Sequence, residues 1–169
     1  MGSLDVITVV AEPAIGLELT QQSVERLGEL GVKVNWLVIV GQDSAAIRDR
    51  IKNGVQHHIA QLVIREQRSD GIYGAINEGL ELVTEPFFMI IHAGDVVLAE
   101  LAKELEQADP RQVTCFQSAW HDNSGVPCTY RRGEKSSRVL LGRMPNHQAM
   151  LFPRYFASEK YDEALLSRW

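Results

Sequence analysis

Val34-Asn35-Trp36-Leu37-Val38-Ile39-Val40 is almost continuously apolar, and Phe87-Phe88-Met89-Ile90-Ile91 is wholly so. A strand with one face in water alternates apolar and polar residues, so runs like these belong to strands covered on both faces. Sheets covered on both faces are built from parallel strands joined by helical crossovers. The chain carries candidates for those helices. Leu17, Val24, Leu27 and Leu30 recur at near-helical spacing before the stop signal Gly31. A second helix runs towards His58, with Asp43 or Ser44 as its cap. A third, Gly71–Val83, places Ile72, Ala75, Ile76, Gly79, Leu80 and Val83 on one face and ends before Pro86. A fourth, Val97–Leu105, is closed by Asp109-Pro110. Ile7–Ala11 and Leu62–Ile64 read as further strands, as do Val113–Trp120 and Thr129–Arg131 around a loop at Asp122-Asn123-Ser124-Gly125.

This alternation predicts an α/β domain with a mostly parallel central sheet, right-handed crossovers and flanking helices. Ligands of such sheets bind at the carboxyl ends of the strands. Ala11-Glu12, the Gly41–Asp43 turn and Asp95 all fall at those ends. The 169 residues suit one domain with a real core. A net charge of -5 speaks against nonspecific nucleic-acid binding, which rests on basic patches. Cys115 and Cys128 form no CxxC or Cys/His zinc pattern. The start, Met1-Gly2-Ser3-Leu4-Asp5, lacks a basic leader region, and no apolar run approaches the roughly 20 residues of a membrane span. The expectation is a cytoplasmic protein.

The chemistry concentrates in Ser69-Asp70-Gly71-Ile72-Tyr73-Gly74-Ala75-Ile76-Asn77-Glu78-Gly79, followed by Phe87–Ile91 and His92-Ala93-Gly94-Asp95. A second block is Pro145-Asn146-His147-Gln148-Ala149-Met150-Leu151-Phe152, with Tyr161-Asp162 after it. In this order the two blocks resemble the "GIYDAMNKG", "N(A/S)GD" and "HQA(I/V)F…YD" segments of family 2 bacterial glycosyltransferases, especially those building exopolysaccharide or colanic-acid-type polymers. The resemblance spans essentially the whole chain. It implies a single GT-A-like, Rossmann-like nucleotide-binding domain over 1–169, with a donor half at 1–111 and an acceptor-side half at 112–169. It implies transfer of a sugar, with inversion, from a UDP- or GDP-type donor to a glycan or lipid-linked acceptor. It also implies Mn2+ or Mg2+ held across the diphosphate, since hard cations take oxygen ligands. Peripheral association with the inner face of the membrane, and a homodimer, are compatible with this reading.

Carried over residue by residue, the resemblance makes Asp95 the metal and diphosphate ligand. Ala11, Glu12, Asp43, Asp70, Gly71, Tyr73, Asn77, His92 and Gly94 fall on the donor side, and His147 and Gln148 on the acceptor or diphosphate side. His92 stands where Asn or Asp is usual and is either a metal or ribose contact or a space-filler. Asp70 is either a nucleotide contact or a plain helix cap. Tyr73 is either a donor contact or a packing aromatic, and Asn77 either a donor contact or a local hydrogen-bonding group. Arg131, Arg132 and Arg143 are candidates to neutralise the diphosphate.

The departures matter as much. Val40 stands where the family's base-binding Asp is expected, Gly74 replaces an Asp, and Glu66-Gln67-Arg68-Ser69-Asp70 alters the acid placement of the donor loop. The family's catalytic-base segment follows the "YD" pair, and here Leu165-Leu166-Ser167-Arg168-Trp169 is reached at that point. The resemblance thus implies a fragment or a truncated homologue. Asp162 and Glu163 are the available substitutes for a base that must lie within hydrogen-bond reach of the acceptor hydroxyl. Two other classes compete. One is a catalytically impaired GT-A-like domain that binds nucleotide or scaffolds a partner. The other is a nucleotidyltransferase, which calls for a basic, Gly-rich loop after the first strand; Ala11-Glu12-Pro13-Ala14-Ile15-Gly16 contains no Lys or Arg. No GxGxxG follows that strand, so a dinucleotide-binding oxidoreductase has no support.

Overall fold

The computed structural model describes residues 2–41, 44–55, 57–121, 127–131 and 146–165. Strands and helices alternate as β1 (Ser3–Val10), α1 (Leu17–Glu29), β2 (Lys33–Val40), α2 (Ala45–Gly54), β3 (Gln61–Glu66), α3 (Gly71–Leu80), β4 (Phe87–His92) and α4 (Leu101–Gln107). The chain continues through β5 (Thr114–Cys115), β6 (Ser118–His121), β7 (Pro127–Arg131) and β8 (Met150–Pro153). The central sheet has six strands in the order β3-β2-β1-β4-β8-β5, and β6 and β7 pair separately. β1 lies parallel to both β2 and β4, and β2 parallel to β3. β8 runs antiparallel to β4, with Phe87 opposite Pro153 and Phe88 opposite Phe152.

The expected α/β architecture is therefore present, with several bounds corrected. The first strand begins earlier than Ile7, at Ser3. α3 stops at Leu80 rather than Val83, and α4 starts at Leu101 rather than Val97. Before α4 the Val97 N–H donates to Ser23 Oγ of α1 at 3.1 Å. Val113–Trp120 is broken into β5 and β6, because Phe116 leaves the sheet edge while its N–H still reaches the Ala149 carbonyl at 2.8 Å.

Strand pleating sorts the core into two layers. One layer packs Leu4, Val6, Val10, Trp36, Val38, Val40, Met89 and Ile91 against Leu17, Val24 and Leu27 of α1, Ile47 and Ile51 of α2, and Leu101 and Leu105 of α4. The other packs Ile7, Leu37, Phe88 and Ile90 against Ile76 and Leu80 of α3. α3 lies close on β1 because Gly79 has no side chain: a Cβ there would sit 2.4 Å from Ile7 Cγ2. Two buried polar contacts fix the sheet. Trp36 Nε1 donates to Thr8 Oγ1 at 2.9 Å, both residues being fully buried. Asp5, also fully buried, accepts from Asn35 Nδ2 on β2 and from the Thr84 and Glu85 N–H groups ahead of β4, at 2.9, 2.5 and 2.7 Å.

Candidate functional site

β4 ends in a tight turn at His92–Asp95. Asp95 N–H donates to the His92 carbonyl at 3.0 Å, and Asp95 Oδ2 accepts from His92 N–H at 2.7 Å. Gly94 adopts φ +100°, a conformation that side chains resist. α1 is the seat of this turn. Fully buried Thr20 donates from Oγ1 to the Asp95 carbonyl at 2.7 Å and accepts from Gly94 N–H at 2.9 Å, with the His92 carbonyl 3.3 Å away. One turn further on, Ser23 Oγ accepts from Val97 N–H and donates to the Thr20 carbonyl. Asp95 is half-buried, and this burial raises its carboxyl above the ordinary range, against the pull of the His92 amide and of nearby His147.

On the α3 side of the turn stands an aromatic and imidazole cluster. His92 Nε2 and His147 Nε2 are 3.4 Å apart. His147 meets Tyr161 edge-on at 6.4 Å, and Tyr161 stacks on Tyr73 at 5.2 Å and 8°. Burial lowers the pKa of both imidazoles, so both favour the neutral form; for His147 the neighbouring His92 adds to this and Asp95 opposes it. Among the described residues His92 Nδ1, which is buried, has no hydrogen-bond partner. Among the described residues no group of three or more His, Cys, Asp or Glu side chains is placed to hold a metal ion.

A separate polar cleft is lined by Arg68, Ser69, Asn77, Glu78, Glu81 and Glu163. Glu78 is its anchor: Oε1 accepts from Arg68 N–H, Ser69 N–H and Ser69 Oγ at 2.8, 2.8 and 2.7 Å. Burial alone would raise its pKa, but these hydrogen bonds and the Arg68 charge outweigh it and hold the carboxyl below the ordinary value. Asn77 is buried, and its amide is spent on the chain that follows β8. Nδ2 donates to the Tyr161 carbonyl and to Glu163 Oε1 at 3.0 and 2.8 Å, while Oδ1 accepts from Tyr161 N–H at 2.8 Å.

The structure thus brings His92, Gly94, Asp95, His147 and Tyr73 into one neighbourhood, and Asn77 and Glu163 into another. Asp70 takes the N-cap position of α3 without a side-chain capping bond, and it is exposed beside Gly71, whose φ is +74°. Ala11 and Glu12 are exposed beyond the end of β1. Gln148 is half-buried and donates its N–H to Asn146 Oδ1 at 3.4 Å. Asp162 is exposed and accepts from Ala164 N–H at 2.9 Å. Asp43, Arg132 and Arg143 lie outside the described residues, and only the backbone of Arg131 is described. Val40 is fully buried in the core layer of α1 and α2. Sequence reading missed Thr20, Ser23 and Glu78; the available signal on α1 was a pair of hydroxyl residues three apart among Leu17, Val24 and Leu27.

Neither a protein-family model nor a curated protein sequence matches the chain. Solved structures do. S. aureus TarS 1-349 superposes with a TM-score of 0.68 at 13% identity, over 98% of this chain and 52% of that one. The same protein in complex with UDP-GlcNAc gives 0.67 at 11% identity, over 93% and 47%. HddC from Yersinia pseudotuberculosis gives 0.53 at 11% identity, over 98% and 84%. The chain spans about half the length of the TarS structure it matches. At these identities the likeness is one of fold, and that fold is GT-A-like, with a mostly parallel six-stranded sheet between helices.

Proposed function

We propose that this chain is the nucleotide-sugar-binding domain of a glycosyltransferase. The observation that carries the reading is the Asp95 turn: a half-buried carboxylate at the carboxyl end of β4, held in place by α1 in a GT-A-like sheet. A superposable fold that holds UDP-GlcNAc in TarS supports a donor of that class. Asp95 fits a divalent cation. One oxygen is satisfied by the His92 amide, burial disfavours the bare charge, and among the described residues Oδ1 carries no hydrogen bond. No cluster of three or more ligating side chains stands there among the described residues, so Mn2+ or Mg2+ would draw on the diphosphate and water for its remaining ligands. Bound there, the cation would stabilise charge developing on the departing diphosphate.

The chain's own groups have separate tasks in this reading. Neutral His92 and His147 offer imidazole nitrogens beside the phosphates without adding charge. The Tyr73–Tyr161 stack walls the donor side. An inverting transfer requires a carboxylate against the acceptor hydroxyl. Glu163 is engaged by Asn77, which leaves Asp162 the less committed of the two acids. A peripheral membrane site and a lipid-linked acceptor belong to the same proposal; no described helix is long and apolar enough to cross a membrane.

A second reading, nucleotidyl transfer, has one observation in its favour: the match to HddC covers 84% of that chain, and one to a 4-diphosphocytidyl-2C-methyl-D-erythritol synthase covers 78%. The absence of Lys and Arg from residues 11–16 counts against it. A thermal-shift panel of UDP, GDP, CDP and dTDP, each with and without Mn2+, tests the donor site. Saturation at a hundred times the dissociation constant adds about 2.7 kcal/mol, a rise of roughly 5–10 °C for a domain of this size. A metal-dependent rise with a diphosphate supports the first reading. Pyrophosphate release from a nucleoside triphosphate would replace it with the second.

A further inference from the structure

We propose that Thr20 is the positioning residue of the donor site: its hydroxyl holds the β4 turn in the one conformation that presents Asp95 to a cation–diphosphate pair. This rests on the donor-site reading above. Thr20 lies on α1, 75 residues before Asp95 in sequence, and its hydroxyl meets the turn through backbone atoms. Its Oγ1 is shared among both ends of the turn. It donates to the Asp95 carbonyl at 2.7 Å, accepts from Gly94 N–H at 2.9 Å and passes the His92 carbonyl at 3.3 Å.

No other described side chain bonds the backbone of both Gly94 and Asp95. Among the described residues the carboxylate is tied only to the His92 amide within the same turn, and beside Thr20 the turn is held to the sheet by the Ala93 N–H, which donates to the Val9 carbonyl at 3.4 Å. Ser23 continues the seat by taking the Val97 N–H at 3.1 Å. Gly94 has no side chain to restrict it, so other backbone shapes open to it once its N–H loses its partner. The expected consequence of losing the hydroxyl is a carboxylate that remains in the molecule but is displaced, so the cation suffers and the apolar contacts of the nucleoside do not. Residues that orient a metal ligand from behind cost about 10- to 100-fold in metal affinity when removed.

The test compares wild type, Thr20→Val, Thr20→Ser and Val24→Ala. Valine keeps the shape and removes the hydroxyl; serine keeps the hydroxyl. Val24, fully buried on the same helix, controls for lost stability without touching the turn. Calorimetric titration with UDP, GDP, CDP and dTDP, with and without Mn2+, gives the metal-dependent gain in affinity for each protein. The expected result is a gain reduced about tenfold or more in Thr20→Val, retained in Thr20→Ser and Val24→Ala, with metal-free affinity unchanged throughout. An unchanged gain in Thr20→Val, or an equal loss in Val24→Ala, overturns the positioning role. If Thr20→Val does not fold, Thr20→Ser decides: loss of the gain in a folded, hydroxyl-bearing variant overturns it, and retention supports it. Absence of any metal-dependent binding in wild type instead sinks the donor-site reading, and this inference with it.

Discussion

A Cβ added to Gly16 would lie 2.7 Å from the Cα of Gly94. The start of α1 and the turn after β4 are in backbone contact, and both glycines sit at positive φ, +75° and +100°. Overpacking costs about 1–3 kcal/mol, and forcing an L side chain into the left-handed region costs roughly 1–2 kcal/mol. Gly16→Ala should therefore lower stability by about 2–5 kcal/mol in urea unfolding. It should also weaken metal-dependent nucleotide binding, because the turn cannot shift without moving Asp95. A variant as stable as wild type would show that α1 and the turn are not in contact.

Glu78 predicts an acid-sensitive loop. Its folded pKa lies below the ordinary value of 4.5. Its contribution is therefore complete above that value and is lost as pH falls through the lower, folded value. Glu78→Gln should cost about 1.5–3 kcal/mol at neutral pH, the usual worth of hydrogen bonds to a buried charge. The gap between variant and wild type should close in acid. Denaturation curves from pH 7 down to pH 3 check this; a gap independent of pH would contradict it.

Introducing the acids that family 2 glycosyltransferases carry at positions 40 and 74 should harm rather than help. Val40 is wholly buried among the side chains of the α1 and α2 layer. Val40→Asp would bury an unpaired carboxylate at a cost of about 3–5 kcal/mol, without gaining a nucleobase contact. At Gly74 a Cβ would meet Ser69 Oγ at 2.5 Å and Ser69 Cβ at 2.9 Å, so Gly74→Asp must push away the loop that Glu78 holds. Thermal melts with and without nucleotide should show both variants less stable and neither with tighter binding. A gain in affinity in either would revise the placement of the base.

Asn77 makes a prediction about the chain end. Its amide pairs both backbone groups of Tyr161, and Lys160 Nζ reaches the Asn77 carbonyl at 2.9 Å. Asn77→Ala should free residues 159–165, raise amide exchange there and unstack Tyr161 from Tyr73, while α3 itself stays protected. Exchange unchanged at Tyr161 would show that packing alone holds the segment.

The parallel core was legible because burial on both faces writes itself as unbroken apolar runs at β2 and β4. The start of α3 (Gly71–Leu80) and the Asp95 turn were legible for a different reason: their order along the chain is itself a pattern. β8 was not, since four residues ending in Pro153 carry no periodicity, and its place between β4 and β5 follows from pairing across the sheet. Thr20 and Ser23 were missed because they act through hydrogen bonds to backbone more than 70 residues away, and Glu78 because two of its partners are the N–H groups of Arg68 and Ser69; backbone groups have no letters.

Asp5 carries a consequence for how such a domain can diversify. It closes the amino ends of β1, β2 and the approach to β4 with one buried carboxylate, at the rim opposite Asp95. The two rims are thus fastened independently, one by a side chain of the sheet itself and the other by hydroxyls borrowed from α1. Exchanging residues around Asp95 would retune the choice of ligand while leaving the far fastening whole. An Asp5 substitution would loosen the barrel of contacts beneath every ligand alike.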